Sequence, residues 1–146
     1  MSKLYDLRTA LKAHLVAEEI FEEDSIIIKR QTDIWNDIAV SIASTANNVA
    51  VVIGVAEGSS ADDDELVMEL TVPVTILCAP SLEEGAVPEE DLWEAMVKAV
   101  HGFVVHASGH CQWEFKFRNF SDDVELGDNA AQWLARQTVF RVKQNF

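Results

Sequence analysis

His106, His110 and Cys111 lie at spacings of four and one, the densest cluster of nitrogen and sulfur ligands in the sequence. Zinc takes three or four such ligands in a tetrahedron, and Cys78 would supply a fourth if the strand carrying it adjoined this segment. Against a site, Cys111 opens the apolar side of an alternating stretch, where cysteine behaves as a small core residue. "HASGH" (106–110) also has the composition of a solvated loop. A second cluster, "ADDDE" (61–65) with Glu57 nearby, offers the carboxylates that hard cations prefer. It lacks the alternating ligands and the glycine of a calcium loop. Asp62, Asp63, Asp64 and Glu65 read instead as the acidic tip of a hairpin, where they discourage stray edge pairing. Neither cluster is assigned a metal or a cofactor.

Nucleophilic catalysis would need a serine on a G-x-S-x-G elbow, an activated cysteine at a helix start or paired carboxylates on a cleft, and none is recognisable. The six glycines, at 54, 58, 85, 102, 109 and 127, are scattered singly and form neither a phosphate loop nor a dinucleotide fingerprint. His14 and His101 fall on helical stretches as boundary residues. Of Trp35, Trp93, Trp113 and Trp133, three fall on apolar stripes, where packing is the ordinary role. The expectation is a protein that is not an enzyme.

Composition narrows the partners. A chain of 146 residues, 49% hydrophobic, is expected to form one domain (1–146) with a real core. Eleven Lys and Arg against 25 Asp and Glu leave a net charge of −14, so the surface as a whole repels nucleic-acid phosphates and anionic membranes. The N-terminus has no apolar signal region, no apolar run approaches the roughly 20 residues that span a bilayer, and the two cysteines read as reduced thiols. A soluble, cytosolic product is expected.

The elements that must carry these residues follow from periodicity. Leu4, Leu7, Leu11 and Leu15 mark an amphipathic helix of about 15 residues. "SIIIKRQ" (25–31) reads as a strand, and Ile34, Ile38 and Ile42 mark a second helix capped by Thr32 or Asp33 and closed by Asn47 and Asn48, although its β-branched content also suits a strand. "VAVVIGVAEG" (49–58) is apolar on both faces, as in a covered central strand. Pro88 and the acids after it begin a third helix, with Leu92, Trp93, Met96, Ala99, Val100 and Phe103 on its apolar stripe and Gly102 at its end. "CQWEFKFRNF" (111–120) alternates aromatic and charged residues, and "AQWLARQTVFRVKQNF" pairs back on it. The resulting class is α+β: a mainly antiparallel sheet of two hairpins plus one strand, packed on two or three helices.

"LVMELTVPVTILC" (66–78) is the most unusual stretch, with every second residue apolar over thirteen positions. Fully extended it would run about 43 Å, longer than the roughly 38 Å diameter of a compact chain of this size. The hairpin 49–78 is therefore expected to project, and Met68, Leu70, Val72, Pro73 and Val74 are the expected oligomer interface. Pro73 has no amide proton to give a ladder, so at least one side of the strand's middle should be free or bulged.

This succession, "VAVVIGVAEG" joined by a polar loop to "LVMELTVPVTILC", a helix ending "MVKAVHGF" and a closing hairpin "WEFKFRNF…TVFRV", resembles the tail terminator or tail-completion proteins of long-tailed bacteriophages and prophages over nearly the whole chain. "VFRVKQNF" and the helix ending at Gly102 are the parts most alike. The resemblance implies a structural protein of the virion tail, assembled in the host bacterial cytoplasm. Such proteins form a homo-oligomeric ring, typically a hexamer, that caps the tail tube protein, meets the head-connector proteins and lets DNA pass without specific binding. It brings no catalytic residues. A small ligand- or metal-binding module, resting on His106, His110, Cys111 and Cys78, is the alternative.

Overall fold

The computed structural model describes residues 3–29, 35–44, 49–60, 68–78, 89–106, 112–122 and 134–145. Among them the chain forms three α-helices and seven strands: α1 (Lys3–Ala17), a 3-10 turn (Glu23–Ser25), β1 (Ile26–Ile28), α2 (Trp35–Ser44), β2 (Val49–Ile53), β3 (Glu57–Ser60), β4 (Met68–Cys78), α3 (Glu89–Val100), β5 (Val104–His106), β6 (Gln112–Ser121) and β7 (Leu134–Asn145). The class is α+β. One sheet runs β1-β2-β4-β7-β6-β5, with β3 also paired to β4. Every pairing is antiparallel except β1 with β2, which run parallel because α2 connects them.

Two clusters cover the sheet's faces. On one side Leu7, Leu11 and Leu15 of α1 and Met96 and Val100 of α3 close over Val49, Val51, Ile53, Leu70, Val72, Val74, Ile76, Trp113, Phe115, Phe140 and Val142. Burying a side chain such as Phe115 or Phe140, both fully shielded, contributes about 2–3 kcal/mol of transfer free energy. On the other side Ile38 and Ile42 of α2 cover Ala50, Val52 and Leu77, with Ile27 and Ala135 at the margin. The β-branched stretch 34–42 is thus a helix where it is described, because isoleucines four apart share the face that meets β2. Its expected caps, Thr32, Asp33, Asn47 and Asn48, lie outside the described residues.

Polar ties fix the helices on the sheet. Arg8 of α1 donates from one guanidinium nitrogen to the carbonyls of Lys29 (2.7 Å) and Gly54 (3.3 Å), which leave the ends of β1 and β2. His14 stacks on Phe103 with centroids 3.9 Å apart, and its Nε2 lies 2.8 Å from the Ala99 carbonyl. A carbonyl only accepts, so Nε2 carries the proton and satisfies a carbonyl that the last turn of α3 would leave open. Gly102 ends that helix at φ +87, as its position in the sequence predicts.

The long strand is where expectation and structure part. β4 has β2 and β3 on one edge and β7 on the other, so its described length is a central strand and does not project. At 11 residues it spans about 36 Å and fits within a curled sheet. Leu70, Val72 and Val74 are 1%, 0% and 0% exposed against α1, α3 and the neighbouring strands, which removes them as oligomer interface: their own subunit already covers them. Met68 opens β4, and its side chain lies outside the described residues.

Pro73 is accommodated as its chemistry requires. Its carbonyl accepts from Gly54 N–H at 2.7 Å, and in a strand the amide position of the same residue points to the same side. There the partner strand is interrupted, β2 ending at Ile53 and β3 starting at Glu57, so three residues oppose two and no ladder bond awaits the missing proton.

Candidate interaction surface

The sequence-level candidates separate in space. Cys78 is buried and aligns with Leu134 at one end of β7. His106 is exposed on β5, opposite Gln112, which aligns with Asn145 at β7's other end. The eleven-residue offset along β7 corresponds to about 36 Å, against about 4 Å between two ligands of one zinc ion, so Cys78 and His106 share no metal. His110, Cys111 and the acidic run Asp62, Asp63, Asp64 and Glu65 lie outside the described residues. Among the described residues no group of three His, Cys, Asp or Glu side chains is placed to hold a metal ion. Among the described residues no helix is long and apolar enough to cross a membrane.

The structure instead organises a surface on the far side of β4, β7 and β6. Alternation that sends Leu70, Val72 and Val74 into the core sends Glu69, Thr71, Pro73 and Thr75 the other way. Beyond the area that α2 covers, no described element packs over this face. Its residues stand in rows set by the strand registers. Glu114, Lys143 and Glu69 form one row across β6, β7 and β4, and Lys116, Arg141 and Thr71 the next. A bulge in β6 between Phe117 and Asn119 separates these from Asn119, Val139 and Pro73, and then Ser121, Gln137 and Thr75.

Lys116 and Arg141 are direct cross-strand partners. Like charges at that separation are destabilising, and each cation turns aside to a carboxylate: Lys116 to Glu114 at 3.4 Å, Arg141 to Glu69 at 3.7 Å. On β6 and β7 three cations, Lys116, Arg141 and Lys143, thus stand with one carboxylate, Glu114, while Glu69 on β4 and Glu57 on β3, aligned with Thr71, add two more at the margin of this face, on a chain carrying −14 overall. Beside this cationic band, Val139 and Pro73 make a neutral, half-buried strip.

A second polar constellation lies on the helix-covered side, at the end of the β6–β7 pair. Arg136 makes a two-pronged contact with Asp122, Nε to Oδ1 at 2.6 Å and an Nη to Oδ2 at 3.0 Å. Its guanidinium lies 4.8 Å from the ring centroids of both Trp93 and Phe120. The hydrogen bond from Arg136, with its positive charge, outweighs partial desolvation and holds the Asp122 carboxyl below the ordinary aspartate range. Trp93 Nε1–H donates to Thr138 Oγ1 at 2.8 Å, pairing a hydroxyl on a fully buried residue. His101 is likewise structural: its Nδ1 accepts the Phe117 N–H at 3.0 Å, next to the β6 bulge. These ties join residues 14 to 45 positions apart and leave no periodic trace, so the sequence alone does not reveal them.

No protein-family model matches the chain, and no curated protein matches it.

Proposed function

We propose that the chain is a non-enzymatic structural subunit that assembles with copies of itself, and specifically a tail terminator or tail-completion subunit of a long-tailed phage or prophage. The order of elements supports this reading, because it follows the succession in which the sequence resembles that family. The observation that carries it is the one-sided sheet: α1 and α3 seal one face, while the β4–β7–β6 side opposite presents ordered rows of charged and neutral side chains. A face of that kind suits contact with another protein surface better than it suits a small molecule, which needs a concave apolar pocket. The metal-binding alternative loses Cys78 as a ligand, since that thiol is buried far from His106.

A ring subunit of this kind partners itself, the tail tube and the head connector, and lets DNA pass through an acidic ring without sticking. The test is genetic. Deleting the coding sequence from the phage that carries it is expected to give tails of uncontrolled length that fail to join heads, with the purified protein restoring both. Normal-length tails joined to heads in the deletion strain would refute the terminator assignment.

A further inference from the structure

We infer that the cationic face of β6 and β7 docks the acidic corner between α1 and β1 of a second copy of this chain, head to tail; this rests on the self-assembling reading above. The corner comprises Glu18, Glu19, Glu22, Glu23 and Asp24, five exposed acids in seven residues with no base among them. It is held rigidly. Ser41 of α2 donates to the Asp24 carbonyl at 2.7 Å, and next to Ser41 stands Val40, an apolar side chain 56% exposed. Asp37, three residues earlier on α2, is exposed as well and shares Val40's side of the helix.

The two surfaces match in charge and in pattern. The corner offers acids around an exposed valine; the sheet face offers Lys116, Arg141 and Lys143 beside the neutral strip of Val139 and Pro73. On the isolated subunit Lys116 and Arg141 each hold only a long ion pair, 3.4 Å to Glu114 and 3.7 Å to Glu69, and a neighbour's carboxylates would add to these. The surfaces cannot meet within one subunit. The corner leads into β1 at the sheet's edge, three strand positions from β7 and about 14 Å away. Two different patches that complement each other between copies make a heterologous contact, which closes into a ring or continues as a filament, whereas a two-fold dimer would pair one patch with itself.

The test uses the full-length chain and two charge-reversed variants, one carrying Lys116→Glu, Arg141→Glu and Lys143→Glu, the other Glu18→Lys, Glu22→Lys and Glu23→Lys. Each is first shown to fold by circular dichroism and its melting transition. If either triple variant fails to fold, the corresponding single reversals, Arg141→Glu or Glu23→Lys, take its place. By light scattering and native mass spectrometry, the wild type is expected to self-associate, and to do so about tenfold or more weakly as salt rises from about 50 to about 500 mM. Each triple variant alone should associate about a hundredfold more weakly or not at all. The decisive mixture is of neutralised rather than reversed chains, Lys116→Gln/Arg141→Gln/Lys143→Gln with Glu18→Gln/Glu22→Gln/Glu23→Gln: each keeps one working surface, so together they should stop at a one-to-one dimer. Folded variants that assemble like wild type would overturn this docking mode while leaving a ring assembled through other surfaces. A wild type that stays monomeric at every concentration and at low salt would overturn it too, leaving the deletion phenotype to decide the terminator reading.

Discussion

Gly54 and Pro73 occupy one another's space: a Cβ on Gly54 would lie 2.6 Å from Pro73 Cγ, while Gly54 N–H donates to the Pro73 carbonyl at 2.7 Å. The contact is what allows a proline into a central strand, since the glycine lets the interrupted β2–β3 edge close against the ring. Gly54→Ala is expected to destabilise the fold by about 2 kcal/mol through overpacking, and Pro73→Ala on that background should recover a large part of the loss. Urea unfolding of the four chains in a double-mutant cycle measures the coupling; additive effects would mean that the two residues do not constrain each other.

Val72→Lys is expected to unfold the subunit, because Val72 is fully buried between the helices and the sheet, and an unpaired buried charge costs several kcal/mol. Thr71→Gln, one residue along and on the open face, adds no charge opposite Arg141 and should leave stability within about 0.5 kcal/mol of wild type. A folded Val72→Lys protein of normal stability would contradict the assigned faces of β4.

Which parts of this fold were legible depended on what periodicity can report. Leucines at helical spacing placed α1, the stripe from Leu92 to Phe103 placed α3, and alternation around Phe115 placed β6. Alternation in β4 identified a greasy face without saying what covers it, so Leu70, Val72 and Val74 read equally well as interface or core. The deciding partner, β7, lies about half the chain away in sequence. β5 is three residues long, too short to carry a period, and the break between β2 and β3 was signalled only by Gly54 and by Pro73 across from it. The charged rows of the open face were invisible for the same reason: Glu69, Lys143 and Glu114 become neighbours only once three registers are known.

Glu19 ends α1 with a positive φ of 58, a conformation that costs a residue with a Cβ about 1 kcal/mol. Glu19→Gly is expected to raise stability by roughly 0.5–1 kcal/mol, and thermal unfolding checks it. A loss of stability would show that Glu19 makes an interaction outweighing the backbone strain.

Asp122 gives the fold a small dependence on acid. Its carboxyl is held below the ordinary aspartate value by Arg136, so the folded state favours the ionised form, and the stability this confers is present above roughly pH 4, the unfolded value. It is lost as pH falls through the lower folded value. Because the carboxylate is largely exposed, the contribution is only a few tenths of a kcal/mol. Asp122→Asn is expected to be slightly less stable than wild type at neutral pH, with the two curves converging as pH falls through the lowered folded value. Curves that diverge on acidification would reverse the sign.

Trp93→Phe removes the donor to Thr138 Oγ1, leaving a hydroxyl on a residue that is 0% exposed, and should cost about 1–3 kcal/mol. Trp93→Phe with Thr138→Val, which removes both partners, should cost less than the two single losses combined. Chemical denaturation of the cycle reads this directly.

The pairing of β4 with β7 sets the order in which the molecule can become itself. Glu69 lies beside Lys143, and Cys78 beside Leu134, so the middle of the sheet closes only after the α3, β5 and β6 sequence has been made. During synthesis β4 therefore waits with one bare, β-branched edge, next to β2 and β3 but without its other neighbour. Pairings so distant fold slowly, and a nascent chain halted before residue 134 would expose a ready template for other strands. Interrupting β7 should thus send the chain into aggregates rather than into a smaller folded protein.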